Sequence, residues 1–146
     1  MTGERILQTA TWSTVVLALT AAAAVAWPDT MAVPYAVVAI VAFVAGCAAF
    51  LWSFAIALGR SRTEELSVAG LYFLTGSAPK AVQRRLLGAL AAQSVIAVAA
   101  AAARPFTTVA FGVLAPMLGL GLVGLWGARY GTFPERDDPR GRQSAP

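Results

Sequence analysis

Four stretches of this chain, 6–27, 35–59, 86–103 and 109–128, contain no Asp, Glu, Lys or Arg, and nothing else in the sequence restricts the fold as strongly. A bilayer core about 30 Å thick is crossed by about 20 apolar residues in a helix. Away from water, every backbone N–H and C=O must be satisfied within the protein, which leaves helices or closed barrels. Barrel strands are about half as long and alternate in polarity, whereas these runs are continuous in Ala, Leu and Val. The expectation is an all-α integral membrane protein with residues 1–130 in one bundle of four transmembrane helices, at about 6–27, 35–59, 79–103 and 109–128. Composition agrees, with 58% of residues hydrophobic and only 12% charged, against about a quarter charged in soluble domains.

The basic residues set the orientation, because Lys and Arg in short loops stay on the cytoplasmic side. Arg60, Arg62, Lys80, Arg84 and Arg85 lie between the second and third spans, Arg129, Arg136, Arg140 and Arg142 follow the fourth, and Arg5 precedes the first. On the other side stands Arg104, expected to face Asp29 across two short turns. Both termini and the middle loop are therefore expected in the cytoplasm, with the spans paired as two hairpins in a cytoplasmic (inner) membrane. The net charge of +4 is then a topology signal and not a nucleic-acid footprint, since no soluble basic face exists to carry one.

Aromatic and proline positions fit this arrangement. Trp27, Tyr35 and Phe106 fall at the outer interface and Trp126 and Tyr130 at the inner one, where amphipathic rings concentrate. Pro28 and Pro34 bracket the first turn, Pro105 follows the third span, and Ser77 with Pro79 reads as a helix cap and first-turn proline. Arg84 and Arg85 would then snorkel to inner headgroups. A cleavable signal peptide ending near Ala26 is the alternative for the first run, although that run exceeds the usual apolar signal core of about 7 to 15 residues.

Between the second and third spans, Thr63, Glu64 and Glu65 precede Leu66, Val68, Leu71, Tyr72, Phe73 and Leu74. Acids suit a helix N-terminus, so a short interfacial helix on the cytoplasmic side is expected, with an irregular loop packed on the helix ends as the alternative. The tail, residues 131–146, has little to bury and is expected to be disordered. Trp27-Pro28 and Arg104-Pro105, with Leu51-Trp52 and Leu125-Trp126, hint at a repeat, but their spacings differ and chance in an Ala-rich chain explains them.

Helices associate in lipid through close packing of small residues. Ala42, Gly46, Ala49 and Ser53 make a smooth face on the second span; Gly112, Ala115, Gly119 and Gly124 make one on the fourth. They are expected at helix-packing interfaces, within the bundle or toward a partner or second copy. Pro116 removes one backbone donor and is expected to bend the fourth helix.

Catalytic and transport sites in membranes are marked by embedded ionisable groups, and the four runs hold none. That disfavours proton-coupled exchangers, which need an intramembrane carboxylate. Gln93, with Ser94 beside it, is the strongest polar group inside a span and is expected to hydrogen-bond another helix. Thr11, Ser13, Thr14 and Thr20 can bond their own backbone. With no histidine and one cysteine, Cys47, neither a disulfide within the chain nor a His/Cys metal site can form. No nucleophile with an adjacent base and no phosphate loop is present, so neither enzymatic activity nor a cofactor is expected.

The segments Leu71-Tyr72-Phe73-Leu74-Thr75-Gly76, Ala102-Ala103-Arg104-Pro105-Phe106 and Gly124-Leu125-Trp126-Gly127-Ala128-Arg129-Tyr130-Gly131-Thr132-Phe133 resemble a family of small actinobacterial integral membrane proteins. The resemblance covers roughly the second half of the chain. It implies a four-helix inner-membrane protein and brings no substrate, cofactor or catalytic residue. The leading functional expectation is a non-enzymatic accessory or scaffold subunit that meets another membrane protein or itself, with anionic lipid headgroups on Arg60, Arg62, Lys80, Arg84 and Arg85. The competing expectation is a small transporter or flippase component, with Gln93, Arg104 and the bend at Pro116 along its path. A lipid-modifying enzyme relying on Glu64, Glu65 or Asp29 is the third.

Overall fold

A computed structural model describes residues 2–135. The chain runs α1 (Gly3–Ala26), α2 (Pro28–Arg60), α3 (Val68–Tyr72), α4 (Lys80–Ala103), a 3₁₀ segment (Thr108–Leu114) and α5 (Pro116–Tyr130). Four helical stretches, the last combining the 3₁₀ segment with α5, are long and apolar enough to cross a membrane. Their outward surface is hydrocarbon: Leu19, Val41, Leu51, Trp52, Val95 and Val98 are all exposed.

The first turn is shorter than expected. Pro28 and Pro34 do not bracket a loop, because Trp27 alone separates α1 from α2 and Pro34 lies inside α2. Pro28 stands at the start of the helix, where a missing N–H leaves no bond unmade and its fixed φ favours the helix. α2 has 33 residues, so at about 1.5 Å per residue it is about 50 Å long and exceeds a bilayer core of about 30 Å.

The fourth stretch is broken and not merely bent. In an α-helix the N–H of residue 116 would bond the Gly112 carbonyl, and proline has none. The Ala115 N–H takes that carbonyl instead, at 3.0 Å, which is the tighter i to i−3 pattern of a 3₁₀ helix. Pro116 then opens α5 as its first residue.

α5 is the axis of the bundle. Half of the apolar window in this fourth stretch is buried, against 17% to 22% in the other three. Every residue from Gly121 to Ala128 is buried, and four glycines between Gly119 and Gly127 let its neighbours close around it. α2 makes the largest contact with α5.

The core divides along the helix axes. Toward one end, Ile6, Leu7 and Ala10 of α1 pack with Leu86 of α4 and Leu122, Val123 and Trp126 of α5. Toward the other, Leu17, Ala21 and Ala24 of α1 pack with Tyr35 and Ala39 of α2, Ala100 of α4, and Val109 and Ala115. The fully buried residues that α2 shares with α1 thus lie in the second cluster only, and the two helices diverge away from Trp27.

The loop between α2 and α4 holds one five-residue helix inside an irregular segment that packs on helix ends. The helix does not begin at the acids. Ser67 caps it, accepting from the Gly70 N–H at 3.0 Å, while Glu64 pairs with Arg60 at 2.7 Å. Leu71 and Leu74 are buried, Leu74 completely. Ser77 is not the cap of α4, whose preceding residue is Pro79 with no side-chain cap; its hydroxyl donates to the Gly70 carbonyl.

The tail also departs from expectation over its first residues. Gly131 is buried, the Thr132 N–H donates to the Ser77 carbonyl at 3.0 Å, and the Glu65 N–H donates to the Pro134 carbonyl at 2.9 Å. Residues 131–135 are thus held by the loop, through backbone groups that composition does not display. The rest of the expected disordered tail lies outside the described residues.

Candidate functional site

The two small-residue faces meet each other. Gly46 is buried against the Met117-Leu118 backbone, so that a Cβ there would stand 2.5 Å from the Leu118 nitrogen. One carbon added to Gly121 would collide with the Gly46 carbonyl oxygen and lie 3.0 Å from the Ala49 Cβ. Ser53 is fully buried, bonds its own Phe50 carbonyl at 2.7 Å, and lies across from Gly124, which also accommodates the Tyr72 ring. Gly112 receives Tyr35, and Ala115 is buried beside it. Ala42 is part-buried on the edge of the same seam. These residues pack against one another within one chain.

Gln93 lies near the middle of α4 and is 1% exposed. Its Nε2 donates to Thr14 Oγ1 at 3.0 Å and to Ser13 Oγ at 3.2 Å, the interhelical bond expected of it. Both hydroxyls in turn donate to the Ala10 carbonyl, at 2.8 and 3.1 Å. All the local donors are therefore committed, and Gln93 Oε1 has no partner. That oxygen abuts Gly119, where an added Cβ would stand 2.8 Å away. Thr11 and Thr20 bond the Leu7 and Val16 carbonyls of their own helix.

Two arginines cap helices other than their own. Arg60 donates to the Ala128 carbonyl at 2.8 Å and to the Gly131 carbonyl at 2.9 Å. It thereby covers the C-terminus of α5, where cations are favoured by the partial negative charge. It also pairs with Glu64 and lies 5.3 Å from the centre of the Phe133 ring. Arg60, expected at a lipid headgroup, is therefore engaged within the protein's own scaffold. Arg104 does not face Asp29: it donates to the Val25 carbonyl, at 2.8 Å from its Nη2, and caps α1. Asp29 stands exposed in the first turn of α2.

Arg62, Lys80, Arg84 and Arg85 are exposed, as is Arg129. They share one end of the bundle with the loop that Arg60 secures. Arg104 is held at the end of α1, about 16 Å along α4 from Gln93. The sequence had one signal for the Arg60 role, the Arg60 to Glu64 spacing of four. For the Arg104 cap it had none, since the acceptor is a backbone carbonyl.

No family model matches the sequence, and neither a curated protein nor a solved structure matches it. The chemistry of the site rests on its own residues. Among the described residues no cluster of three or more metal-ligating side chains occurs. The pair Glu64 and Glu65 is divided between an ion pair with Arg60 and an exposed position.

Proposed function

We propose that this chain is a non-enzymatic multi-pass protein of the cytoplasmic membrane that serves as an accessory or scaffold subunit. Its helices form two hairpins, both termini face the cytoplasm, and α3 lies at the inner interface. The family resemblance belongs to the same reading and brings no activity with it. One observation carries it: Arg60 fastens the loop and residues 131–135 onto the end of α5, making a built face from segments that need not be ordered for insertion alone. Arg62, Lys80, Arg84, Arg85 and Arg129 project from that face, ready for anionic headgroups at about 1 kcal/mol each near the surface or for an acidic partner.

The test is purification of the tagged chain in native nanodiscs, with mass spectrometry of co-purifying proteins and lipids. A stoichiometric larger membrane protein, lost on reversing the charges of Arg62, Arg84 and Arg85, is the expected result. A homo-oligomer with no second protein would overturn the accessory role. The first helix is expected to be retained, since α1 supplies Ser13 and Thr14 to Gln93 and Val25 to Arg104. A mature N-terminus at Trp27 would contradict that.

A transporter or flippase component is the second reading. It is favoured by a crevice of about 330 Å³ between α1 and α2 that reaches Gln93.

A further inference from the structure

The divergence of α1 and α2 leaves a groove between them that opens onto one side of α1. Its deeper part, about 330 Å³, lies between Val16 and Leu17 of α1 and Val37, Val41 and Ala45 of α2, and is floored by Ala115, Leu118 and Gln93. Beyond it the open face of α1 carries Trp12, Thr9, Gln8 and Arg5. Ser13 and Val16 line both, so the crevice opens onto this face.

The deeper part presents hydrocarbon even where polar residues line it. The Ser13 hydroxyl donates to the Ala10 carbonyl, the Gln93 amide donates to Ser13 and Thr14, and Gln93 Oε1 is packed against Gly119. Apolar cavities are not hydrated, so in a bilayer this space takes hydrocarbon. The mouth is different: Arg5 is exposed, and among the described residues no ion pair engages it. From Arg5 to Leu17 the groove rises about 18 Å at about 1.5 Å per residue, close to one leaflet's share of a core about 30 Å thick.

We propose that this groove binds one anionic phospholipid of the inner leaflet. The phosphate sits on Arg5, with Gln8 beside it, and one acyl chain runs past Trp12 into the space between α1 and α2. The proposal rests on the membrane-spanning reading with the N-terminus at the inner face. Charge at the mouth, hydrocarbon along the walls and the length of one leaflet together select a lipid over a soluble anion, which would find no use for the apolar part.

Trp12, 68% exposed on the wall of the groove, is a reporter at the site. The protein is placed in phosphatidylcholine nanodiscs holding a small fraction of either brominated phosphatidylglycerol or brominated phosphatidylcholine. The Trp12 contribution to fluorescence is taken as the difference from a Trp12→Phe variant. At equal mole fraction the anionic probe is expected to quench Trp12 about fivefold more effectively, as about 1 kcal/mol for one arginine near the surface implies. Arg5→Gln should abolish that preference, and Ala45→Phe, which fills the deeper part from an exposed position, should reduce quenching by both lipids. Equal quenching by the two lipids, or a preference that survives Arg5→Gln, would overturn the site. If the chain fails to enter nanodiscs as a helical protein, the membrane reading falls and the site with it.

Discussion

The backbones of Gly46 in α2 and Gly121 in α5 touch: a methyl group on Gly121 has nowhere to go except into the Gly46 carbonyl oxygen. In lipid, where hydrophobic burial does not drive helix association, van der Waals contact at this range is a main source of cohesion. Gly121→Val is therefore expected to lower stability by about 3 kcal/mol or more, beyond ordinary overpacking because the obstacle is backbone and not a movable side chain. Gly59 and Gly88, by contrast, have nothing within 4 Å of an added Cβ. Their alanine variants should be neutral or stabilising by about 0.5 to 1 kcal/mol, the helix-propensity gain over glycine. Unfolding by SDS titration in mixed micelles, read by circular dichroism, distinguishes the two classes.

Arg60 secures the C-terminal end of α5. Arg60→Gln removes two charge-assisted bonds to carbonyls, the pair with Glu64 and the stacking on Phe133. The expected loss is about 2 kcal/mol, within the range for bonds to charged groups. It should be concentrated in residues 131–135, seen as faster amide exchange there while α1 and α4 stay protected. Arg60→Lys should recover only part of this, because an ammonium lacks the planar fork. Arg62→Gln, at an exposed position, should leave exchange unchanged. Equal effects of Arg60→Gln and Arg62→Gln would show that the clamp contributes nothing.

What the sequence displayed and what it concealed divides along physical lines. Runs without charge and the small faces of Gly46 and Gly124 were legible, because insertion and close packing act on residue type. The partner of each face was not legible, since a stripe suited to a second copy is equally suited to a neighbouring helix. The distinct roles of Arg60 and Arg62 were hidden by their shared charge: both satisfy the same topology rule, and only geometry brings one of them to Ala128. The break at Pro116 was half legible. Proline predicts a lost bond, but not the seven-residue 3₁₀ segment before it, in which Gly112 makes room for Tyr35. The retention of residues 131–135 depends on main-chain bonds to Ser77 and Glu65, which no composition reveals.

Gln93 looks indispensable and should prove replaceable. Its carbonyl oxygen is buried without a donor, a condition costing about 1 to 3 kcal/mol, while its amide bonds are worth about 0.6 to 2 kcal/mol in a membrane interior. Gln93→Leu removes both terms. It leaves no new orphan donor, because the Ser13 and Thr14 hydroxyls already donate to Ala10. Stability within about 1 kcal/mol of the parent is expected by the same titration. Under the accessory reading the cellular phenotype should also persist, whereas its loss in a fully folded Gln93→Leu protein would favour transport.

Two residues hold the same unfavourable backbone conformation with opposite consequences. Leu74 has φ 55° and Phe106 has φ 61°, the left-handed region that costs a side-chain-bearing residue roughly 1 to 2 kcal/mol. Leu74 is fully buried beside Leu86 and Trp126, while Phe106 is completely exposed. Glycine relieves the strain at either position. At 106 nothing packed is lost, so Phe106→Gly should raise stability in detergent by up to about 1 kcal/mol, less the extra chain entropy glycine brings to the unfolded state. At 74 a whole leucine side chain leaves the core, where truncation costs about 2 to 5 kcal/mol, so Leu74→Gly should be destabilising despite the relief. A midpoint that falls for both variants would mean that the Phe106 ring is held by contacts beyond its own loop, and one that rises for both would mean that the buried Leu74 side chain does not support the bundle.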